Sequence, residues 1–126
     1  MTTAQTKRVL VVEDEKPMAK AIELKLIKNG LEALAVFNGA EALAAMEKEK
    51  YDLILLDIMM PEMDGWEVMR SMKDRGMKMP VIITSNLSQG EDRQKALALG
   101  AVDYLVKSDT SIMSIVEKVK GFLNKL

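Results

Sequence analysis

The sequence has no cysteine and no histidine, and among its 126 residues there are only three prolines, one Trp, two Tyr and two Phe. Each absence removes a kind of chemistry. Without Cys the chain builds no disulfide, thiol nucleophile or thiolate metal site. Without His it has no imidazole base and cannot carry a phosphohistidine of its own. No apolar run approaches the roughly 18 to 20 residues that span a bilayer. Met1 to Lys7 is polar and lacks an apolar signal core, so a cytoplasmic protein with no membrane contact is expected. Charge of one sign is also not in excess, since 18 Lys and Arg face 19 Asp and Glu. Basic residues scattered among acids give no concentrated positive field along the sequence, so direct nucleic-acid binding is not expected. Neither G-x-G-x-x-G nor G-x-x-x-x-G-K-[ST] occurs, which removes the main signatures of dinucleotide and P-loop sites.

What is present is a globular composition, 48% apolar and 29% charged, of a length that suits one domain over residues 1–126. Val9 to Val12, Leu53 to Leu56, Val81 to Ile83 and Tyr104 to Val106 are short continuous apolar runs, as expected of parallel strands buried on both faces. Glu32 to Phe37 is a weaker strand, because Ala33 and Ala35 have low β-propensity and only the alternation of elements supports it. Between these runs apolar residues recur at helical spacing: Ala19, Ile22 and Leu26; Ala42, Leu43 and Met46; Val68, Met69 and Met72; Ile112, Ile115, Val119 and Leu123. A further helix is expected over Glu91 to Leu99. Asn29-Gly30 fits a left-handed helix end, Asn38 and Asp64 fit helix starts, and Gly100 fits the end of the fourth helix. Strands alternating with helices predict right-handed crossovers and an open, doubly wound α/β sheet.

In such a sheet ligands gather at the carboxyl ends of the strands. The residues there are Glu13 and Asp14 after the first strand, Asp57 after the third, Thr84 after the fourth and Lys107 after the fifth. Three carboxylates at one edge repel unless a cation or the Lys107 ammonium offsets them, and a divalent ion resolves the conflict. Magnesium suits an all-oxygen donor set and is often shared with phosphate oxygens. The pattern fits phosphoryl transfer to a carboxylate, with Asp57 as nucleophile, Lys107 and magnesium offsetting phosphoryl charge, and Thr84 donating a hydrogen bond.

The runs Val9-Leu10-Val11-Val12-Glu13-Asp14-Glu15, Leu55-Leu56-Asp57-Ile58-Met59-Met60-Pro61, Pro80-Val81-Ile82-Ile83-Thr84-Ser85 and Asp103-Tyr104-Leu105-Val106-Lys107 resemble the response-regulator receiver domain of two-component signalling. The resemblance covers nearly the whole chain and keeps the motif order. It implies a flavodoxin-like sheet of order 2-1-3-4-5 with helices on both faces. It also implies that Asp57 accepts a phosphoryl group from a histidine of a sensor kinase or phosphotransfer protein. By the same resemblance Asp14 and Asp57 ligate Mg2+ directly, Glu13 acts mostly through water, and the Met59 backbone carbonyl supplies another ligand. Thr84 and Tyr104 form the switch, altering a protein-binding surface of the fourth helix, fifth strand and last helix. Such a protein is a switch rather than an enzyme, active as a monomer or as a phosphorylation-dependent dimer.

Met59 and Asn86 occupy positions that in the family modulate phosphoryl lifetime. An apolar Met59 cannot orient an attacking water, so slow self-dephosphorylation is expected. One departure is Ser108, where the family usually has Pro after Lys107, commonly through a cis peptide. Ser108 and Glu13 leave open a receiver-fold binding module that works without phosphorylation. A magnesium-dependent aspartyl-phosphate phosphatase shares the nucleophile but expects a second Asp where Met59 stands, and a receiver excised from a longer regulator is a further alternative. Met18, Met46, Met69 and Met72 read as adaptable core filler, and Trp66 as boundary packing.

Overall fold

The computed structural model describes residues 6–87 and 90–125; Met1 to Gln5, most of the polar leading stretch noted above, lie outside them. Five strands, β1 (Arg8–Val12), β2 (Glu32–Val36), β3 (Leu53–Asp57), β4 (Val81–Ser85) and β5 (Asp103–Val106), form one parallel sheet of order β2-β1-β3-β4-β5. The helices are α1 (Lys16–Lys28), α2 (Gly39–Lys48), α3 (Gly65–Asp74), α4 (Gly90–Ala98) and α5 (Ile112–Leu123), and a 3-10 turn covers Lys107–Asp109. The predicted order is the observed one.

The apolar runs are continuous because both sheet faces are covered. Successive side chains alternate sides, so Val9, Val11, Leu53, Leu55 and Ile82 pack with Ala19, Ile22 and Leu26 of α1 and Ile115, Val116 and Val119 of α5. Leu10, Val12, Ile54, Leu56 and Ile83 pack on the other side with α2, α3 and Ala96 of α4. Edge strand β2 carries the weak signal for a physical reason: Glu32 and Leu34 remain exposed, so only Ala35 and Val36 needed to be buried.

The predicted punctuation takes concrete form. Asn38 accepts a hydrogen bond from the Glu41 N–H at 2.8 Å and Asp64 from the Glu67 N–H at 2.9 Å, starting α2 and α3. Helices α1 and α3 end on Gly30 (φ +89°) and Gly76 (φ +71°), where the Leu31 and Met77 N–H groups bond back to Leu26 and Met72. Met46, Met69 and Met72 are core residues and Met18 packs partly buried against the α1–α5 side, as their reading as filler requires. Trp66 is buried at the start of α3, with the Lys95 ammonium of α4 4.5 Å from its ring centre.

The charges that look scattered along the sequence are sorted in space. Parallel strands all begin at one pole, so the connecting helices all end there. Their last turns are basic, with Lys25, Lys28, Lys48, Lys73 and Lys120, whereas Glu41, Glu67, Glu91 and Asp92 start helices at the pole of Asp57. Helix dipoles favour this arrangement at each terminus. The helix ends of this near-neutral chain are therefore basic at one pole, while the acids that open α2, α3 and α4 lie at the other.

Candidate functional site

Four strand ends supply the site. Asp57, the last residue of β3, is 1% exposed, and Thr84 of β4, opposite it in the register, is 4% exposed. Glu13 follows β1 and is fixed by its N–H bonding to the Val36 carbonyl at 3.1 Å. Its side chain is buried; the Lys107 ammonium donates to Oε1 at 2.8 Å, and the Glu15 N–H to Oε2 at 3.1 Å. The same ammonium lies 3.4 Å from Asp57 Oδ2 and 3.9 Å from Glu15 Oε1. Asp57 Oδ1 accepts from the Met59 N–H at 3.3 Å.

Glu13 is therefore buried and held from both sides, although it lies in the turn that leads into α1. Glu15 takes the N-cap position, with no side-chain bond to the helix. Glu13 serves as the buried counter-charge of Lys107. The Lys107–Ser108 peptide is trans, as are all peptides among the described residues, and the chain passes straight into the 3-10 turn. Serine in place of proline has not withdrawn the ammonium, which still reaches both Glu13 and Asp57.

One ammonium does not balance this pocket. Glu13, Asp14 and Asp57 each offer an oxygen, and those three atoms lie within 4.8 Å of one another. Burial, followed by the charge of Glu13, raises the Asp57 carboxyl to about 7, although Lys107 and the Met59 N–H pull it down. For Lys107, burial acts to lower the pKa, but the bond to Glu13 and the charge of Asp57 more than reverse this and leave it raised. A carboxyl driven that high is one whose charge is costly to bury and is only partly offset by the neighbouring ammonium. The donor set is all hard oxygen, which fits a magnesium ion and excludes a thiophilic one. Glu13 and Asp57 both have contacts to each carboxylate oxygen, from Lys107 and a backbone N–H, and each oxygen keeps a further lone pair for an ion; Asp14 is the third carboxylate of the group.

The remaining predicted residues spread outward. Met59 is 60% exposed and Asn86 is exposed, both at the rim. Tyr104 lies beside Ile83 in the register and its ring is wholly inside, the hydroxyl donating to the Leu87 carbonyl at 2.7 Å. That bond ties β5 to the segment after β4. Two contributors were not singled out from sequence. Gly65 passes so close to the end of β3 that a Cβ there would stand 2.5 Å from the Asp57 carbonyl and 2.8 Å from Ile58 Cα. Arg93 of α4 donates to the Tyr104 carbonyl at 3.0 Å and lies 3.8 Å from Asp103. An Asp-Gly pair before a helix is the only hint of the first, and nothing local signals the second.

A parallel doubly wound sheet whose carboxyl edge holds a buried acidic pocket beside one ammonium defines a flavodoxin-like class of α/β proteins whose site lies at the strand ends. Comparison with known proteins narrows this. Residues 9–120 match the response regulator receiver domain. The transcriptional regulatory protein PcoR of Escherichia coli is 34% identical over 118 residues, covering 94% of this chain and 52% of PcoR. The transcriptional regulatory protein TctD of Salmonella typhimurium is 41% identical over 100 residues, covering 79% of this chain and 45% of TctD. Among solved structures, the receiver domain of the Francisella response regulator 1452 superimposes with a TM-score of 0.88 at 33% identity, covering 95% of this chain and 98% of that one. The chain belongs to the response regulator receiver domain family of two-component signalling. It spans about half the length of the curated relatives it matches.

Proposed function

We propose that the protein is a phosphorylation-operated switch in which Asp57 is the phosphoacceptor. The observation that carries this reading is the buried grouping of Asp57 and Glu13 around Lys107, with Asp14 beside them. An Asp57 oxygen attacks the phosphorus of a phosphohistidine on a sensor kinase or phosphotransfer protein. The O–P bond forms as the N–P bond breaks, and the departing imidazole nitrogen takes up a proton. Lys107 keeps its hold on Glu13 and offers its remaining hydrogens to the phosphoryl oxygens. Thr84, beside Asp57 in the register, donates its hydroxyl to another. Asp14, Asp57 and the Met59 carbonyl are the ligands proposed for Mg2+, with Glu13 acting through water; when bound, the ion supplies the positive charge that the transferred group requires. The chain acts as a switch and not as an enzyme on a free substrate.

The readout is a change at the surface of α4, β5 and α5. Tyr104 and Arg93 link β5 and α4 to the segment after Thr84, which gives the site a physical route to that surface. A protein contacts that surface. The relatives' names suit a transcriptional output, supplied by another domain or another protein. The test is intact-mass analysis after incubation with acetyl phosphate, with and without Mg2+, on the protein and its Asp57→Asn variant. One phosphoryl adduct requiring both Asp57 and Mg2+ is expected. A folded protein that takes up no phosphoryl group and binds no beryllofluoride refutes the reading in favour of a phosphorylation-independent binding module.

A further inference from the structure

At the pole opposite Asp57, where α2 ends and the loops enter β3 and β4, lies a cavity of about 720 Å³. That is within the 300 to 1,000 Å³ common for small-molecule sites. Met46, Tyr51, Met77, Met79 and Pro80 supply its apolar lining, with Met46 and Tyr51 almost fully buried. Its wall is anchored, because the Met77 N–H bonds to the Met72 carbonyl at 2.8 Å as α3 ends. The cavity continues sideways: Gly76 to Met79 also line a neighbouring one of about 330 Å³, and Lys48, Glu49 and Tyr51 one of about 480 Å³.

The rim carries three acids and three lysines, but they are not equivalent. Glu47 is paired with Arg75 at 2.6 Å, Glu49 with Arg8, and Asp52 accepts the Arg8 N–H at 2.7 Å. Lys48, Lys50 and Lys78 have no carboxylate partner among the described residues. Asp52 keeps its negative charge, since its partner is a neutral backbone N–H, but the three unpaired lysines outnumber it and the free charge around the cavity is positive. Methionine lining adapts to ligands of varied shape. An apolar cavity edged by unpaired ammonium groups is complementary to a molecule with an apolar body and one anionic head.

We propose that this pole is a binding site for a soluble amphipathic carboxylate, its aliphatic or aromatic body against Met46, Tyr51, Met77 and Met79 and its head at Lys48, Lys50 and Lys78. The site is independent of the phosphoacceptor and stands whether or not Asp57 is phosphorylated. A polyanion such as nucleic acid would satisfy the lysines but leave the methionine lining uncovered.

The test is an amide NMR titration of the full chain with decanoate, decanol and acetate. Decanoate is expected to shift amides within 46–52 and 76–80, decanol to bind about tenfold more weakly, and acetate to leave them unmoved. Lys48→Gln, Lys50→Gln and Lys78→Gln together alter only exposed side chains, so the spectrum stays dispersed while decanoate affinity falls about tenfold or more. Decanoate shifts centred elsewhere, equal affinity for decanol, or unchanged affinity in the triple variant overturns the proposal. So does binding of phosphatidylglycerol vesicles through these lysines without binding of free decanoate, which assigns the pole to a membrane surface.

Discussion

Replacing Asp57 with Asn gives the sharpest forecast, because it removes a charge that the metal-free fold accommodates poorly. The Asp57 carboxyl is raised from an ordinary 3.8 to about 7 by burial and by Glu13. A shift of about three units at 1.36 kcal/mol each makes ionised Asp57 unfavourable by about 4 kcal/mol in the folded state. Between those two values the folded chain holds a proton that the unfolded chain releases. The metal-free stability from this group is thus fully present below about pH 4 and is lost as pH rises through about 7. Asn at 57 keeps the shape without the charge and leaves the 2.8 Å Lys107–Glu13 pair in place. Urea unfolding in EDTA, followed by the fluorescence of the single Trp66, is the assay. Asp57→Asn is expected to exceed the unsubstituted protein by about 2 to 4 kcal/mol at pH 8 and to match it near pH 4. Saturating Mg2+ shrinks the difference at pH 8. A variant no more stable than its parent at pH 8 without metal refutes the view of the pocket as under-compensated negative charge.

Other perturbations follow from the same contacts. Lys107→Met strips from two buried carboxylates the one ammonium that contacts them among the described residues and is expected to lose about 3 to 5 kcal/mol at pH 8 without metal, measured by urea unfolding. Gly65→Ala pushes a methyl into the Asp57 carbonyl and Ile58 backbone, so a loss of about 1 to 3 kcal/mol together with slower phosphoryl uptake is expected. Asn38→Ala, which removes the cap bonded to the Glu41 N–H, is expected to cost about 1 kcal/mol and leave uptake intact. Met59→Asn places an amide at an exposed rim position, where it can orient water, and is expected to shorten the phosphoryl lifetime in a decay assay; an unchanged lifetime removes Met59 from the account.

Much of this molecule is legible in its sequence because the sheet is covered on both sides. Leu53 to Leu56 can be continuously apolar only if each face meets a helix layer, so the run announces both its strand and its depth. The run's end then marks Asp57, and the same logic marks Thr84 and Lys107. What is not legible depends on distances between remote segments. Lys107 and Glu13 are 94 positions apart; the strand ends bring the ammonium to the three carboxylates, but nothing near either residue says which carboxylate it bonds most closely. Sequence places Glu13 at the acidic edge and gives it a role through water; the fold adds that it is the hydrogen-bonded partner of the lysine. Gly65 is similar, since only the approach of α3 to the end of β3 explains why that position lacks a side chain. The charge poles escape a linear reading as well: net charge and spacing carry no direction, and only a common helix orientation turns scattered lysines into one basic end.

The most direct measurement is chemical mapping of the modified residue. The protein is treated with acetyl phosphate and Mg2+, the acyl phosphate is reduced with borohydride to homoserine, and the peptides are sequenced by mass spectrometry. Homoserine at position 57 alone, absent without Mg2+, is the predicted result. Homoserine at Asp14 or another carboxylate, or none at all in a folded protein, contradicts the assignment of Asp57 as the phosphoacceptor.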